Sequence, residues 1–291
     1  ALAEAFNTLG RQLETFENDL ISQTDKKVNQ VNVLLSQIAE LNQQIVKIHA
    51  MGQNANDLMD RRDLLVDELS GLINIEVKED ELGGYEIVLN GAKDGNGDPI
   101  KLVSANGKDV AEFKFDIVTQ PTNEPKIKFS VNGTNLYEIY ELGSKDGTSG
   151  PLNINGQNGE IFGYLDSIVK VQEYHSKLNT LVRGFAIYIN NLYREKHNVS
   201  LFKRLNTNVP FSAVNIEFNS VLIANPEMLD ASDGTGLAGD GELARKIAEM
   251  RNALVDFNEE KSTIADFYNS IIGQLGIESQ EAQRRVENHQ L

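Results

Sequence analysis

Residues 1–50 carry an apolar side chain at every third or fourth position, which is the spacing of a coiled-coil seam. The seam has two stretches: Leu2, Phe6, Leu9, Leu13, Phe16 and Leu20, then Val28, Val31, Leu34, Ile38, Leu41, Ile45 and Ile48. Gly10 is the only glycine between Leu2 and His49, and no proline occurs there. The pattern predicts one helix over residues 2–49, about 70 Å long at 1.5 Å per residue.

A second helix and a series of strands follow. A polar break at residues 51–55 precedes an apolar stripe over residues 58–72, and Asn54 or Asn56 is the predicted helix cap. From Ile73 the apolar period changes to two, which indicates strands. The alternating runs are Ile73–Val77, Phe113–Ile117 and Ile127–Val131, and the turn signals are Gly83-Gly84, Asn90-Gly91, Asn106-Gly107 and Asn132-Gly133. Asn-Gly is typical of hairpin turns, so residues 73 to about 140 predict an antiparallel meander with a linker at 143–159.

Helical spacing returns at Ile161 and continues to Leu192, which predicts a third helix of about 35 residues. Residues 200–240 have no clear period, and short strands are predicted at 215–218 and 221–223. A fourth helix is predicted from Gly241 through Leu275, with Thr263 and Asp266 as an alternative start of a separate helix. Residues 278–291 favour a helix with hardly any apolar face, which needs a partner or ends early.

Together these elements predict an α+β fold: a long, discontinuous, coiled-coil-like helical rod with an inserted antiparallel β domain. Because apolar heptads lie on both sides of the strands, we expect the two ends of the chain to pair. The predicted segments are a first rod part at 1–72, the inserted β domain at 73–156, a second rod part at 157–199, a loop and β-hairpin segment at 200–240, and a C-terminal rod part at 241–291.

Composition narrows the function. The 291 residues include 43 acidic and 27 basic side chains, for a net charge of -16. A field of this sign repels phosphate polyanions, so nucleic acid and anionic membrane surfaces are poor partners. The absence of cysteine excludes a disulfide framework, a thiolate nucleophile and a cysteine-bound zinc. The chain opens directly in a helical pattern, so no secretory signal is visible.

One candidate for cation binding is the acidic turn at Asp94–Asp98, where oxygen ligands alternate as in the first half of a calcium loop. An EF-hand requires glycine at the sixth position and glutamate at the twelfth, where this chain has Pro99 and Ala105. A tight turn explains the pattern better. Weak binding of an extracellular cation is left open.

Other chemical motifs favour ordinary structural roles. Residues 234–239 fit G-x-G-x-x-G, but no strand leads directly into them and acidic residues flank them, so a flexible loop is favoured over a nucleotide site. The histidines, His49, His175, His197 and His289, have no metal-binding spacing and are predicted at helix ends or on the surface. The second helix carries Asp57, Asp60, Asp63, Asp67 and Glu68 beside Arg61 and Arg62. These charges predict a solvated, ion-paired face, and we assign no catalytic, cofactor-binding or metal residue.

Two neighbouring segments resemble a known family. Residues 28–45 are similar to a helix with the pattern "IN-x-L-x-x-Q-I-A-x-LN-x-x-I" in that family. Residues 56–70 are similar to the segment that follows it there, "ND-L-x-D-x-RD-x-L-x-x-x-LS". The family is that of bacterial flagellar hook-associated protein 1, and looser similarity extends to residues 159–165, 190–193 and 224–232. The structural motif taken from the second segment is Asn56, Asp57, Leu58, Asp60, Arg61, Asp63 and Leu65. Asn56 is expected to cap the helix, the leucines to enter the core, and the charged residues to form ion pairs or subunit contacts.

The resemblance implies a structural adaptor at the hook-filament junction of the flagellum, outside the cell and exported without a cleaved signal. Its implied partners are hook protein, a second hook-associated protein and copies of itself. An export chaperone is implied through a C-terminal region that this chain lacks. Family members also carry terminal polymerisation helices, so we expect this chain to be a monomeric core fragment with no enzymatic activity.

A protein of a different class remains as the alternative, namely a secreted adhesin or carbohydrate-binding module on a coiled-coil stalk. It predicts an aromatic-lined site built from Tyr85, Phe113, Phe115 and Phe129. Those rings occupy alternating strand positions, which is more typical of a core. A hydrolase would need two carboxylates converging in a cleft, and a linear sequence does not show such a pair.

Overall fold

A computed structural model describes residues 1–118, 126–140, 149–152, 158–232, 239–257 and 260–289. The fold is α+β. Its helices are α1 (Leu2–Ala50), α2 (Asn56–Leu72), α3 (Glu160–His197), α4 (Ser220–Ala224), α5 (Glu242–Glu249) and α6 (Ile264–His289). The chain divides into two compact units, one of residues Ala1–Thr15 with Glu173–Leu291 and one of residues Phe16–Gln172.

Strands within the described residues form small antiparallel sheets. They are β1 (Ile75–Glu79), β2 (Tyr85–Lys93), β3 (Pro99–Val103), β4 (Phe113–Ile117), β5 (Ile127–Val131), β6 (Thr134–Ile139), β7 (Gly150–Pro151), β8 (Phe202–Lys203), β9 (Glu217–Phe218), β10 (Leu254–Phe257) and β11 (Glu260–Thr263). The sheets have the orders β1-β2-β3, β4-β5-β6-β7, β8-β9 and β10-β11. Within each sheet, therefore, every strand pairs with the next one along the chain, as a meander requires.

The long helix predicted from the heptad seam is confirmed as α1. In the second unit its seam forms a core, since Val31, Ile38 and Ile45 are fully buried. The second helix is confirmed as α2, but the predicted asparagine cap is wrong. Ala55 precedes the helix and no side chain caps it. Ala55 is buried against α1, so apolar packing rather than capping sets where α2 begins.

The alternating runs form strands as predicted, and their inward residues form the core of the β sheets. Phe113 and Phe129 are buried and stack with ring centroids 5.5 Å apart. The predicted turn at Asn132-Gly133 joins β5 to β6 with φ of 48° and 82°. The turn predicted at Asn90-Gly91 is wrong, because both residues lie inside β2 at an irregularity of its pairing with β3. A bulge uses the positive φ of glycine just as a turn does.

The predicted linker at 143–159 contains a short strand. Gly150 and Pro151 form β7 and pair with Glu138 and Tyr137 of β6. The linker prediction is therefore wrong for these two residues, because an edge strand tolerates proline when its N–H position faces away from the ladder. Residues 143–148 and 153–157 lie outside the described part of the chain.

The third predicted helix is confirmed as α3, and α1 contacts it within each unit. In the second unit Lys27 forms an ion pair with Glu160 at 2.8 Å, and Tyr164 donates to Gln23 at 3.0 Å. In the first unit the ring of Phe6 lies 5.8 Å from that of Phe185. The expected pairing of the heptad helices is thus confirmed for α1 with α3.

Two predictions for the later part of the chain are wrong. Residues 221–223 lie in α4 rather than in a strand, because the side chain of Asn219 accepts from the amide of Val221 and caps a helical turn. The continuous helix predicted from Gly241 to Leu275 is interrupted by the β10-β11 hairpin. Val255 and Phe257 are the buried residues of β10, and their period of two was hidden by helical spacing in the same segment.

The alternative start of a separate helix is confirmed. α6 begins at Ile264, directly after the hairpin. Thr263 Oγ1 accepts from the amide of Asp266 at 3.0 Å and donates to the Asp266 carboxylate at 2.7 Å. This reciprocal pair satisfies a free amide at the start of the helix, as a capping box does.

Candidate functional site

A fully buried arginine joins the helices of the second unit to a β hairpin. Arg62 lies on α2 with none of its surface exposed. Its Nη1 donates to the carbonyl of Gly83 at 2.5 Å and to Asn42 Oδ1 at 3.3 Å. Its guanidinium carbon lies 3.3 Å from the centre of the Tyr85 ring. A buried cation is tolerated when hydrogen bonds and an aromatic face replace water. Here the Tyr85 ring covers the guanidinium and Nη1 is hydrogen-bonded, while Nε and Nη2 make no hydrogen bond within the described residues.

Asn42, on α1, holds the start of β2 with its side-chain amide. Its Nδ2 donates to the carbonyls of Tyr85 at 2.8 Å and Ser104 at 3.2 Å. Its Oδ1 accepts from the amide of Tyr85 at 3.1 Å. One side chain therefore satisfies both backbone groups of Tyr85, as a neighbouring strand would.

The same arrangement occurs at two other places. Asn32 donates to the carbonyl of Phe113 at 2.9 Å and accepts from its amide at 2.8 Å. In the first unit, Asn190 makes the same pair of bonds with Phe202, both at 2.9 Å. We call Asn32, Asn42 and Asn190 the clamp asparagines. Each fixes the first residue of a strand to a long helix, so a helix position determines where a sheet is attached.

Tyr85 also links the arginine to its neighbour on α2. Burial, and then a hydrogen bond to the Asp63 carboxylate, raises the pKa of Tyr85 above its ordinary value. Its hydroxyl is therefore protonated at neutral pH and donates to Asp63. The same carboxylate lies 3.7 Å from Arg62 Nε. Tyr85 is thus held from both sides, by Arg62 and by Asp63.

A glycine allows the loop after β3 to approach α1 closely. Gly107 has a φ of +66°, and a Cβ there would lie 2.1 Å from the carbonyl oxygen of Ala39. Gln43 donates to the carbonyl of Gly107 at 2.7 Å. Glycine is required here both by backbone conformation and by space.

The residues of the predicted structural motif have different environments. Asn56 is the first residue of α2 and not its cap. The charged members Asp57, Asp60, Arg61 and Asp63 are exposed. Leu58 and Leu65 are half-buried and pack against the cluster of Leu41, Ile45 and Ala55, in agreement with their predicted core role.

Sequence reasoning missed Arg62 itself. The signal was present, because Arg62 follows Leu58 by four residues and precedes Leu65 by three. It therefore occupies a position of the apolar seam of α2, where a buried side chain is expected. Its charge instead favours the solvated face, and that prediction is wrong for Arg62.

The remaining candidates have ordinary environments. The carboxylates of α2, from Asp57 to Glu68, are exposed as predicted. Asp94 accepts from the amides of Asn96 and Asp98 in the β2-β3 turn, which confirms the turn. These backbone bonds hold the pKa of Asp94 below its ordinary value. Most of the glycine-rich motif at 234–239 lies outside the described residues.

Histidines and membrane segments add no further site. His49 and His197 lie in the last turns of α1 and α3, as predicted. His175 lies within α3, and the side chain of His289 is outside the described set. Among the described residues, no group of three His, Asp or Glu side chains is arranged to hold a metal. The described helices include none that is long and apolar enough to span a bilayer.

Comparison with known proteins assigns the class. Residues 1–199 match a family model described as the flagellar hook-associated protein FlgK helical domain. The match covers more than half of the chain, so the chain belongs to this family of structural flagellar proteins. It includes the clamp asparagines and Arg62.

Individual relatives carry one name. Flagellar hook-associated protein 1 of Bacillus subtilis (strain 168) is 25% identical over 312 residues, covering 99% of this chain and 59% of the relative. Proteins of the same name from Escherichia coli (strain K12) and Salmonella typhimurium are 33% identical over 90 residues, covering 30% of this chain and 16% of each relative. The chain therefore spans at most 59% of the length of these relatives. The matches give no support to the adhesin alternative.

Proposed function

We propose that this chain is the helical core of an adaptor at the hook-filament junction of the bacterial flagellum. The observation that carries the proposal is the family match over residues 1–199. It includes Arg62, the residues that contact it (Asn42, Asp63, Gly83 and Tyr85) and the clamp asparagines, which together we call the framework around Arg62. In this role the chain transmits force between two differently packed neighbours through its surfaces. It performs no catalysis and needs no cofactor.

The framework around Arg62 suits such a role. A junction under torque must keep a β insertion at a fixed place on its helices. Hydrogen bonds from the clamp asparagines do this at defined residues, whereas apolar contacts alone would allow sliding. We include Arg62 with Asn56, Asp57, Leu58, Asp60, Arg61, Asp63 and Leu65 in the proposed structural motif.

The proposed partners are hook protein, a second hook-associated protein and further copies of the full-length protein. The proposed location is outside the cell, after export through the flagellar channel. The proposed division is into rod parts 1–72, 157–199 and 241–291, with a β domain at 73–156 and a loop and hairpin segment at 200–240. The β10-β11 hairpin interrupts the last rod part.

A chimaera tests the proposal. The matching region of hook-associated protein 1 in Bacillus subtilis is replaced by this chain, and swimming is measured in a strain without the native gene. We expect the chimaera to restore swimming. We expect the R62A chimaera to lose part of that recovery and the R61A chimaera to keep it, because Arg61 is exposed and Arg62 is buried.

Export of the chimaera into the medium is measured in the same cultures. An exported, folded chimaera that leaves the cells non-motile would contradict the adaptor role. Recovery that is identical with R62A, R61A and the unchanged chain would contradict the role of the Arg62 framework alone.

A further inference from the structure

The turn between β5 and β6 brings an asparagine side chain and a reactive backbone nitrogen together in solvent. In an Asn-Gly sequence the glycine nitrogen attacks the side-chain amide carbon of the asparagine and closes a five-membered ring. Glycine has no Cβ to hinder that approach. Asn132 and Gly133 are both exposed, and outside the chain neighbours of Gly133 no atom lies within 4 Å of its Cβ position. Solvent therefore reaches the nitrogen, and the ring has space to form.

The attacking nitrogen is not engaged in the hairpin. Val131 pairs with Thr134, so both residues of the turn stand outside the ladder. The N–H of Gly133 makes no hydrogen bond to any of the described residues. A bonded amide must first break its hydrogen bond before it can lose its proton, and this amide has none to break.

The carbon under attack is polarised by a backbone amide next to β4. Asn132 Oδ1 accepts from the amide of Glu112 at 3.1 Å. The amide of Asn132 donates in turn to the Glu112 carbonyl at 3.1 Å, which keeps the two residues side by side. Negative charge develops on Oδ1 as the ring closes, and an N–H already aimed at that oxygen stabilises it.

Other Asn-Gly pairs in the described part of the chain lack one of these two features. The amides of Gly97 and Gly107 donate to carbonyls within their own turns, at 3.0 and 2.8 Å. Asn90 and Asn158 lack the second feature, since no described group donates to their Oδ1 atoms. Among the described pairs, a free glycine amide and a donor to Oδ1 therefore occur together at residues 132–133.

We propose that Asn132 is a site of spontaneous deamidation in the folded chain, with water as the co-reactant. The nitrogen of Gly133 loses its proton to solvent and bonds to the side-chain carbon of Asn132. The bond from that carbon to Nδ2 breaks, and ammonia leaves. Water then opens the cyclic imide at either carbonyl, which gives aspartate or isoaspartate. Asparagine is among the heat-sensitive residues of proteins, and this proposal does not rest on the proposed function.

The product changes the hairpin that contains it. The φ values of 48° and 82° at Asn132 and Gly133 suit a two-residue turn between twisted strands. Isoaspartate lengthens the backbone of that turn by a methylene group and adds a negative charge. Conversion therefore weakens the pairing of β5 with β6.

Mass spectrometry of the full 291-residue chain after storage in a mildly alkaline buffer tests the proposal. Trypsin places Asn90, Asn96, Asn106 and Asn132 on separate peptides, because lysines lie between them. Conversion replaces the side-chain NH₂ by OH, which raises the mass of the peptide. We expect Asn132 to convert about ten-fold faster than each of the others, the effect of one hydrogen bond on a reaction barrier.

The same chain unfolded in urea is the control, since the folded environment of each asparagine is then lost. We expect the rate at Asn132 to fall to that of the other asparagines there. Conversion at Asn132 that is no faster than at Asn90, Asn96 or Asn106 in the folded chain would overturn the proposal. A preference for Asn132 that persists in urea would overturn it as well.

Two variants at one position test the donor to Oδ1. Glu112→Pro removes the N–H that donates to Asn132, and we expect the rate at Asn132 to fall toward that of the other asparagines. Glu112→Ala keeps the N–H and is the matched control, with an unchanged rate. Circular dichroism establishes that both variants are folded. An unchanged rate in folded Glu112→Pro would overturn the role of this donor.

Discussion

Polar side chains on the long helices fix single strand residues. Asn42 and Asn190 satisfy both backbone groups of Tyr85 and Phe202, and Arg62 covers the ring of Tyr85. The sequence predicted neither role. A polar residue on a helix is exposed far more often than buried, and its partner is a backbone group that no sequence motif marks. Only the seam position of Arg62 indicated burial.

Removal of Arg62 tests that contact set. Arg62→Ala leaves the carbonyl of Gly83 without its donor and uncovers Tyr85, so we expect a loss of about 2–4 kcal/mol in unfolding free energy. Arg62→Lys keeps the charge but loses the planar contact with the ring, and costs less. Urea denaturation followed by circular dichroism measures both. Arg61→Ala is the matched control, and an equal loss there would contradict the assignment.

The hydrogen bonds of Asn190 predict that the stability of an Asn190→Asp variant depends on pH. Asn190→Asp replaces the donor to the Phe202 carbonyl by a buried carboxylate, which costs about 2–3 kcal/mol at neutral pH. Burial raises the pKa of this carboxyl in the folded state above its unfolded value of about 4. The penalty is therefore full above the folded pKa and shrinks as pH falls toward the unfolded pKa, because the protonated acid donates again.

Urea denaturation at pH 4 to 8 measures this loss of unfolding free energy, as the difference between the variant and the unchanged chain at each pH. The neighbouring Asn191 is exposed, so Asn191→Asp is the control and is expected to change little. A penalty for Asn190→Asp that is the same at every pH would contradict the clamp geometry.

At the scale of elements, the spacing of apolar residues predicted most of the long helices and several strands. The heptads predicted α1 and α3 nearly to their ends, and alternation predicted β1, β4 and β5. The β10-β11 hairpin was not predicted, because Leu254 and Phe257 fit a helical seam as well as Val255 and Phe257 fit a strand. The structure selects the strand because Gly184 of α3 leaves space for the Phe257 ring. A Cβ at Gly184 would lie 2.6 Å from that ring.

The loop after β3 gives a prediction at this scale. Gly107→Ala forces a Cβ into the Ala39 carbonyl and strains a positive φ, so we expect a loss of more than about 2 kcal/mol. Gly97 also has a positive φ, at +89°, but no atom lies within 4 Å of its Cβ position. Gly97→Ala should therefore cost only about 1 kcal/mol of backbone strain. Thermal melting compares the two, and equal losses would contradict the close approach to α1.

At the scale of the whole molecule, composition excluded functions more readily than it identified one. A net charge of -16 and the absence of cysteine removed several classes of partner and chemistry. The family came from two neighbouring segments in residues 28–70, and the match over residues 1–199 confirmed it. The sequence does not show what those segments do in the fold, because their polar side chains bind residues far along the chain. Asn42 and Asn32 bind residues 43 and 81 positions away, and Arg62 binds Gly83, 21 positions away.

The position of the chain on the flagellum tests its proposed function most directly. Asn96 is exposed in the β2-β3 turn, and an N96C chimaera in Bacillus subtilis can be labelled with a maleimide dye on intact cells. The chimaera without the added cysteine is the control. An adaptor predicts one fluorescent focus between the hook and the base of each filament. Label spread along the filament, or confined to the cell body, would contradict the account.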